Sequence, residues 1–259
     1  PVEQPPPGRA LPNIINVMAP AAVVPFASAR FLSRRSTVPD TAERALTVPE
    51  LEEVVAEIDD QCRAAGWKGD RLDATTNTWS TVDLTPEDVN LHDLNKLLIK
   101  PKTEAFKCSF VELVADGART PDWFVSHSWS GPVKAFVRCL RQLITDRGLP
   151  ESTTFWVCAY SNNQHDLGKD VGTRPKETSF FRALTSAKGT VAIIDEGGDL
   201  LTRVWCVYEA YLALTQTESL YDTYSPVGQD GKGGPVGITT GSVAADEWRG
   251  GGGGGGGGP

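Results

Sequence analysis

Apolar positions keep two different periods along this chain. From residue 48 to 65, Leu51, Val54, Val55, Ile58 and Cys62 recur at helical spacing. They follow a start signal in which Thr47 caps, Pro49 sits early and Glu50 reaches back as in a capping box, and Gly66 is the stop. Residues 67–84 are polar and predict a connection. Thr85-Pro86-Glu87-Asp88 repeats the start chemistry and predicts a short helix through about Leu98, stopped by Pro101. Residues 1–46 are rich in Pro, Ala and Arg, keep no steady period, and predict an extended arm.

From Trp123 onward the pattern alternates. Trp123–Ser126 predicts a short strand. Val133, Phe136, Val137, Leu140 and Ile144 share one face of a helix that Gly148 ends. Thr154–Tyr160, β-branched and aromatic, predicts a second strand, followed by a polar stretch from Ser161 to Glu177. Thr178 or Ser179 caps a helix carrying Phe180, Phe181 and Leu184, with Gly189 at its end. Thr190–Ile194 is a third strand, and a turn at Glu196-Gly197-Gly198-Asp199 leads into a helix over 202–215. Strand–helix alternation of this length implies right-handed crossovers and an α/β fold around a parallel sheet. After Thr217 the signal fades: Ser219–Ser225 reads as one more extended piece, Val236–Thr240 as a weak edge strand, and Gly250–Gly258 as a run with nothing to bury.

Composition narrows the function classes. The net charge of −8 argues against general nucleic-acid binding; Arg30, Arg34 and Arg35 form the one notable basic cluster, read as a solvated segment. The five cysteines are odd in number, widely spaced and mostly within apolar runs, which points to a reducing, intracellular compartment, cytoplasmic rather than organellar, without a disulfide framework. Three histidines and no tight Cys/His cluster give no metal site. No run is apolar enough to span a bilayer; Ile14–Ala29 is interrupted by Asn16, Pro20 and Pro25. Gly228–Gly234 lacks the spacing, and the Ser or Thr after Lys232, that a phosphate loop needs.

Two motifs carry a resemblance. Phe124-Val125-Ser126-His127-Ser128 resembles the first strand of a Toll/interleukin receptor (TIR) domain, and Trp205-Cys206-Val207-Tyr208-Glu209 resembles that family's Trp-Cys-x-x-Glu helix. Residues 84–215 are similar to the TIR-like group expanded in unicellular algae and other protists, through Cys108–Val114, Trp156–Gln164 and Ser179-Phe180-Phe181 as well. The resemblance implies a three-layer, flavodoxin-like α/β fold, with that fold's last strands not evident after Thr217. The chain divides accordingly into an arm (1–46), a helical extension (47–100), a TIR-like domain (101–217) and an irregular Gly-rich tail (218–259).

Ligands of an open parallel sheet bind beyond the carboxyl ends of its strands. Those ends carry Ser126, His127, Ser128 and Trp129, then Asn162, Asn163, Gln164 and His165, then Asp195 and Glu196. Glu209 shares a helical face with Trp205, Cys206 and Leu212. The resemblance implies that Glu209 is the catalytic carboxylate of an NAD⁺ glycohydrolase, with NAD⁺ as substrate and no cofactor. Ser126, His127, Trp129, Asn162, Asn163 and Trp205 are the candidate substrate-binding residues. Each has a plainer reading. Trp129 and Trp205 read first as core packing, His127 and His165 as hydrogen-bonded loop residues, Asp195 and Glu196 as solvated carboxylates, and Glu209 as a cap on a neighbouring loop or a structural partner of Arg203 or Arg182. The first function is that of an interaction or structural subunit of a larger assembly, bound to other proteins through residues 1–46 or to a second copy of itself, and NAD⁺ glycohydrolysis is the alternative.

Overall fold

The two middle strands, residues 123–127 and 189–193, are buried at every position, as strands covered by helices must be. The computed structural model describes residues 36–240 except 74, 169–174, 196, 216–218 and 227–233. Arg30, Arg34, Arg35, Glu196, most of the 228–234 loop and the glycine run therefore lie outside the described residues. Among the described residues the eight strands are β1 (Leu46–Thr47), β2 (Lys68–Asp73), β3 (Thr78–Asp83), β4 (Trp123–His127), β5 (Thr154–Trp156), β6 (Gly189–Ile193), β7 (Leu220–Ser225) and β8 (Val236–Ile238). Six of them form the central sheet in the order β1-β5-β4-β6-β7-β8. β5, β4, β6 and β7 run parallel, with Trp123 opposite both Phe155 and Gly189, and Gly189 opposite Leu220. β1 and β8 close the two edges antiparallel. The fold is a mostly parallel three-layer α/β fold.

α1 (Val48–Ala65) carries the capping box, with Thr47 and Glu50 bonded reciprocally, and ends at Gly66 in the left-handed region. It packs on α5 (Val133–Arg147), which covers one face of the sheet. Between them lie α2 (Leu91–Leu94), which passes through a π turn (Asn95–Ile99) into α3 (Lys100–Thr103), and the single turn α4 (Val111–Val114). α6 (Cys158–Ser161) follows β5. α7 (Ser179–Ser186), the short α8 (Asp199–Thr202) and α9 (Val204–Thr215) follow on the other side.

Several expectations are corrected. The stretch 67–84 is a two-stranded hairpin, β2 with β3, not a connection; both strands are largely exposed, so no apolar alternation marks them. The helix predicted from Thr85 begins at Leu91, because Asn90 and Asp93 form the capping box there. Pro101 does not stop it: the preceding π turn, in which the Lys100 N–H bonds Asn95 O, is the wide segment that leads into Pro101. β5 ends at Trp156 and Cys158–Ser161 is helical; periodicity cannot separate a short buried strand from a buried helical turn. Helix α7 ends before Ala187, and Gly189 opens β6.

The boundaries shift as well. The tail supplies β7 and β8, so a fourth parallel strand is present after Thr217. Residues 36–46 of the arm are built into the domain. The Arg44 guanidinium bonds Val38 O and Ser161 O, Trp156 Nε1 donates to Thr41 O, and β1 extends the sheet. The extension 47–100 contains the hairpin, and its last helix crosses the expected boundary at residue 100.

Candidate functional site

Strand pleating decides what can meet at the sheet's carboxyl edge. Alternate side chains of β4 point to opposite faces. Ser126 projects toward α9, where its hydroxyl donates to Glu209 Oε2 at 2.5 Å. α9 is apolar nearly all round, and Cys206, Glu209, Leu212 and Ala213 are its buried residues. Glu209 is 7% exposed. Burial raises its carboxyl to about 7, against the opposing pull of the Ser126 hydrogen bond and the Arg203 charge. It is therefore a group that changes charge near neutrality, as an acid–base catalyst must.

Glu209 lines a cavity of about 260 Å³ at the ends of β4 and β5, with Trp129, Asn162, Trp205 and Arg203 also in its wall. Trp129 is fixed by its indole N–H, which donates to Cys158 Sγ at 3.2 Å, and by His92 edge-on at 5.3 Å. Trp205 stands at the mouth, 55% exposed, its edge against Tyr208. The Asn162 amide is committed at both ends: its N–H donates to Cys158 O at 3.0 Å and its oxygen accepts from Ser179 Oγ at 2.9 Å. Arg203 donates to His127 O at 3.2 Å. Arg182 is not the partner of Glu209; it pairs with Asp40 at 2.7 Å.

The structure thus brings Trp129, Asn162, Trp205 and Glu209 to one hollow, which His127 lines as well; Ser126 is not in its wall but reaches it through its hydrogen bond to Glu209. It does not bring Asn163, whose amide N–H donates to Lys107 O at 2.6 Å and whose oxygen accepts from the His165 N–H, away from the cavity. Nor does it bring the His127 imidazole to Glu209. The pleat turns that ring to the α5 side, 5.1 Å from Phe136, while its carbonyl serves Arg203. His165 is tied to Thr103 Oγ1 at 2.8 Å.

Cys158 and Phe180, which the sequence did not mark for the site, and Arg203 and Gln164, which it did not mark for binding, complete the wall. Arg203 was visible as the cation opening the Trp-Cys motif. Cys158 was hidden by the strand assigned to it; burial pushes its thiol up to about 12, so it is no thiolate nucleophile. All five cysteines are free. Among the described residues no cluster of three or more His, Cys, Asp or Glu can hold a metal, and no helix is long and apolar enough to cross a membrane.

Fold and site together define an α/β domain with a carboxylate-bearing pocket at the strand ends. No protein-family model matches the chain, and no curated protein or solved structure matches it.

Proposed function

We propose that this chain is a TIR-like NAD⁺ glycohydrolase, with Glu209 as its catalytic carboxylate. The observation that carries the reading is the Glu209 side chain itself: a buried carboxylate in a cavity wall beside two indoles, raised to about 7. The chemistry suits one such group. The bond between ribose C1′ and the pyridinium nitrogen breaks with its electron pair returning to the nitrogen, so nicotinamide leaves neutral and needs no acid. The transition state is oxocarbenium-like, and a desolvated carboxylate stabilises it across a low-dielectric gap. Water then adds to C1′ and gives up one proton, which the ionised Glu209 accepts.

The other groups take supporting parts. Ser126 holds the carboxylate in place. Trp205 at the mouth and Trp129 within offer ring faces for nicotinamide. Among the described residues the Arg203 guanidinium makes one hydrogen bond, to His127 O, and its other N–H groups can meet the pyrophosphate.

Nicotinamide release from NAD⁺, followed by chromatography, tests the proposal. The wild-type chain releases nicotinamide, and Glu209→Gln lowers the rate at least about a hundredfold with the fold unchanged by circular dichroism. Wild-type protein that releases none, dilute or concentrated, rules the activity out.

The assembly reading keeps one specific support. Val204, Val207, Tyr211 and Leu214 of α9 are all exposed and recur at three- and four-residue intervals, an apolar seam of the kind that pairs helices.

A further inference from the structure

A second cavity, of about 220 Å³, lies on the α5 side of the sheet. It sits where strand order reverses. The crossover from β4 leads out to β5 on one side, and the chain returns past β4 to β6 on the other. Open parallel sheets seat ligands in the crevice at such a switch point.

The wall carries two unpartnered acceptors beside the Ser128 hydroxyl. His127 and Asp195, both in it, hold buried polar atoms without a partner: His127 Nε2 and Asp195 Oδ2. The other ring nitrogen, His127 Nδ1, is 3.3 Å from Val125 O, which assigns the ring proton to Nδ1 and leaves a lone pair on Nε2. Burial holds the imidazole neutral, its pKa pulled down to about 4. Asp195 Oδ1 already accepts from the Asp199 N–H at 2.7 Å. Both unpartnered atoms are thus acceptors, closed off from bulk solvent, on two residues that line the cavity. Phe136 and Ile193 supply apolar wall, and exposed Arg138 stands at the rim with no hydrogen bond or ion pair among the described residues.

We propose that this cavity binds a mononucleotide whose base carries an exocyclic amino group. The base lies against Phe136, its amino N–H groups donate to His127 Nε2 and Asp195 Oδ2, and its phosphate meets Arg138. The volume suits one base. A carbonyl in place of the amino group would face two acceptors and be rejected. A free metal cation fits poorly, with two candidate ligands inside and a guanidinium outside. The site shares His127 with the Glu209 cavity, but neither Asp195 nor Arg138 lines that cavity.

Titration calorimetry on the full chain with AMP, IMP and adenosine tests this. AMP binds, and IMP binds at least about tenfold more weakly. Arg138→Ala, an exposed change that spares the core, weakens AMP about tenfold and leaves adenosine unchanged. Asp195→Asn presents a donor where an acceptor stood and shifts the AMP-to-IMP ratio toward IMP. Glu209→Gln leaves AMP affinity unaltered. No heat with AMP at millimolar concentration, equal affinity for AMP and IMP, an indifferent Arg138→Ala, or loss of AMP binding in Glu209→Gln would each overturn the assignment.

Discussion

Burial shifts two titratable side chains around the carboxyl end of β4 toward their neutral forms, with opposite consequences for the pH dependence of stability. The Glu209 carboxyl is raised from 4.5 to about 7. The folded state therefore holds its proton more tightly than the unfolded chain. That stabilisation is complete below pH 4.5 and is lost as pH rises through 7, a swing of roughly 3 kcal/mol. The His127 imidazole is lowered from 6.5 to about 4. Its contribution is complete above pH 6.5 and is lost as pH falls through 4, and is of similar order. A glutamine cannot titrate, so Glu209→Gln should gain on wild type as pH is raised from 4 to 8, by about 3 kcal/mol in urea denaturation. A stability difference that stays constant across that range would contradict the burial assigned to this carboxylate. At this scale the sequence showed which residues crowd the strand ends, because polar side chains directly after apolar strands are legible. It did not show which face each one takes: Asn163 and the His127 ring are one step along the chain from Asn162 and Ser126, and one step is enough to turn a side chain away.

Elements were legible where a local chemical signal marked them. The Thr47–Glu50 capping box and the left-handed Gly66 bracket α1 as read. The β2–β3 hairpin was not, since its side chains stay in water and its closing turn uses Asn77 at positive φ rather than a glycine pair. β7 read as a vague extended piece because its central residue is Asp222, a charge in the middle of a parallel strand. Arg147 of α5 explains that charge: its guanidinium grips the carboxylate at 2.5 and 2.6 Å and also donates to Thr240 O, while the same guanidinium lies over the Trp123 ring at 5.3 Å. Asp222 is fully buried. Asp222→Ala leaves that cation unpaired in the interior and should cost about 3–5 kcal/mol, read as a fall in the denaturation midpoint; a loss under 1 kcal/mol would show the pair to be solvated. Gly189 is a close approach of another kind. A β-carbon there would come within 2.6 Å of the Trp123 ring, so only glycine lets β6 lie beside β4 at this point.

At the scale of the whole molecule, α9 has two unlike faces. One delivers Glu209 to the sheet, and the other leaves Val204 and Leu214 at 77% and 63% exposure. A second copy of the chain is a fitting occupant of that outer face, since the seam carries no charged side chain to repel its own image. Sedimentation velocity should show a concentration-dependent dimer, abolished in the double variant Tyr211→Lys, Leu214→Lys. A monomer at every concentration would leave the seam without this role. The overall α/β layering was readable from strand–helix alternation. The extent of the sheet was not, because β1 and β8 are two- and three-residue strands with no pattern long enough to detect.

Those two brief strands have a practical bearing on handling the protein. Each turns its neighbour's open ladder into a stub that runs against the direction of the sheet, which leaves little template for stacking one molecule's strands onto another's. The chain should therefore tolerate concentration without drifting into fibrils, and dye-binding assays for cross-β material should stay silent in the same samples in which helix-mediated dimers accumulate.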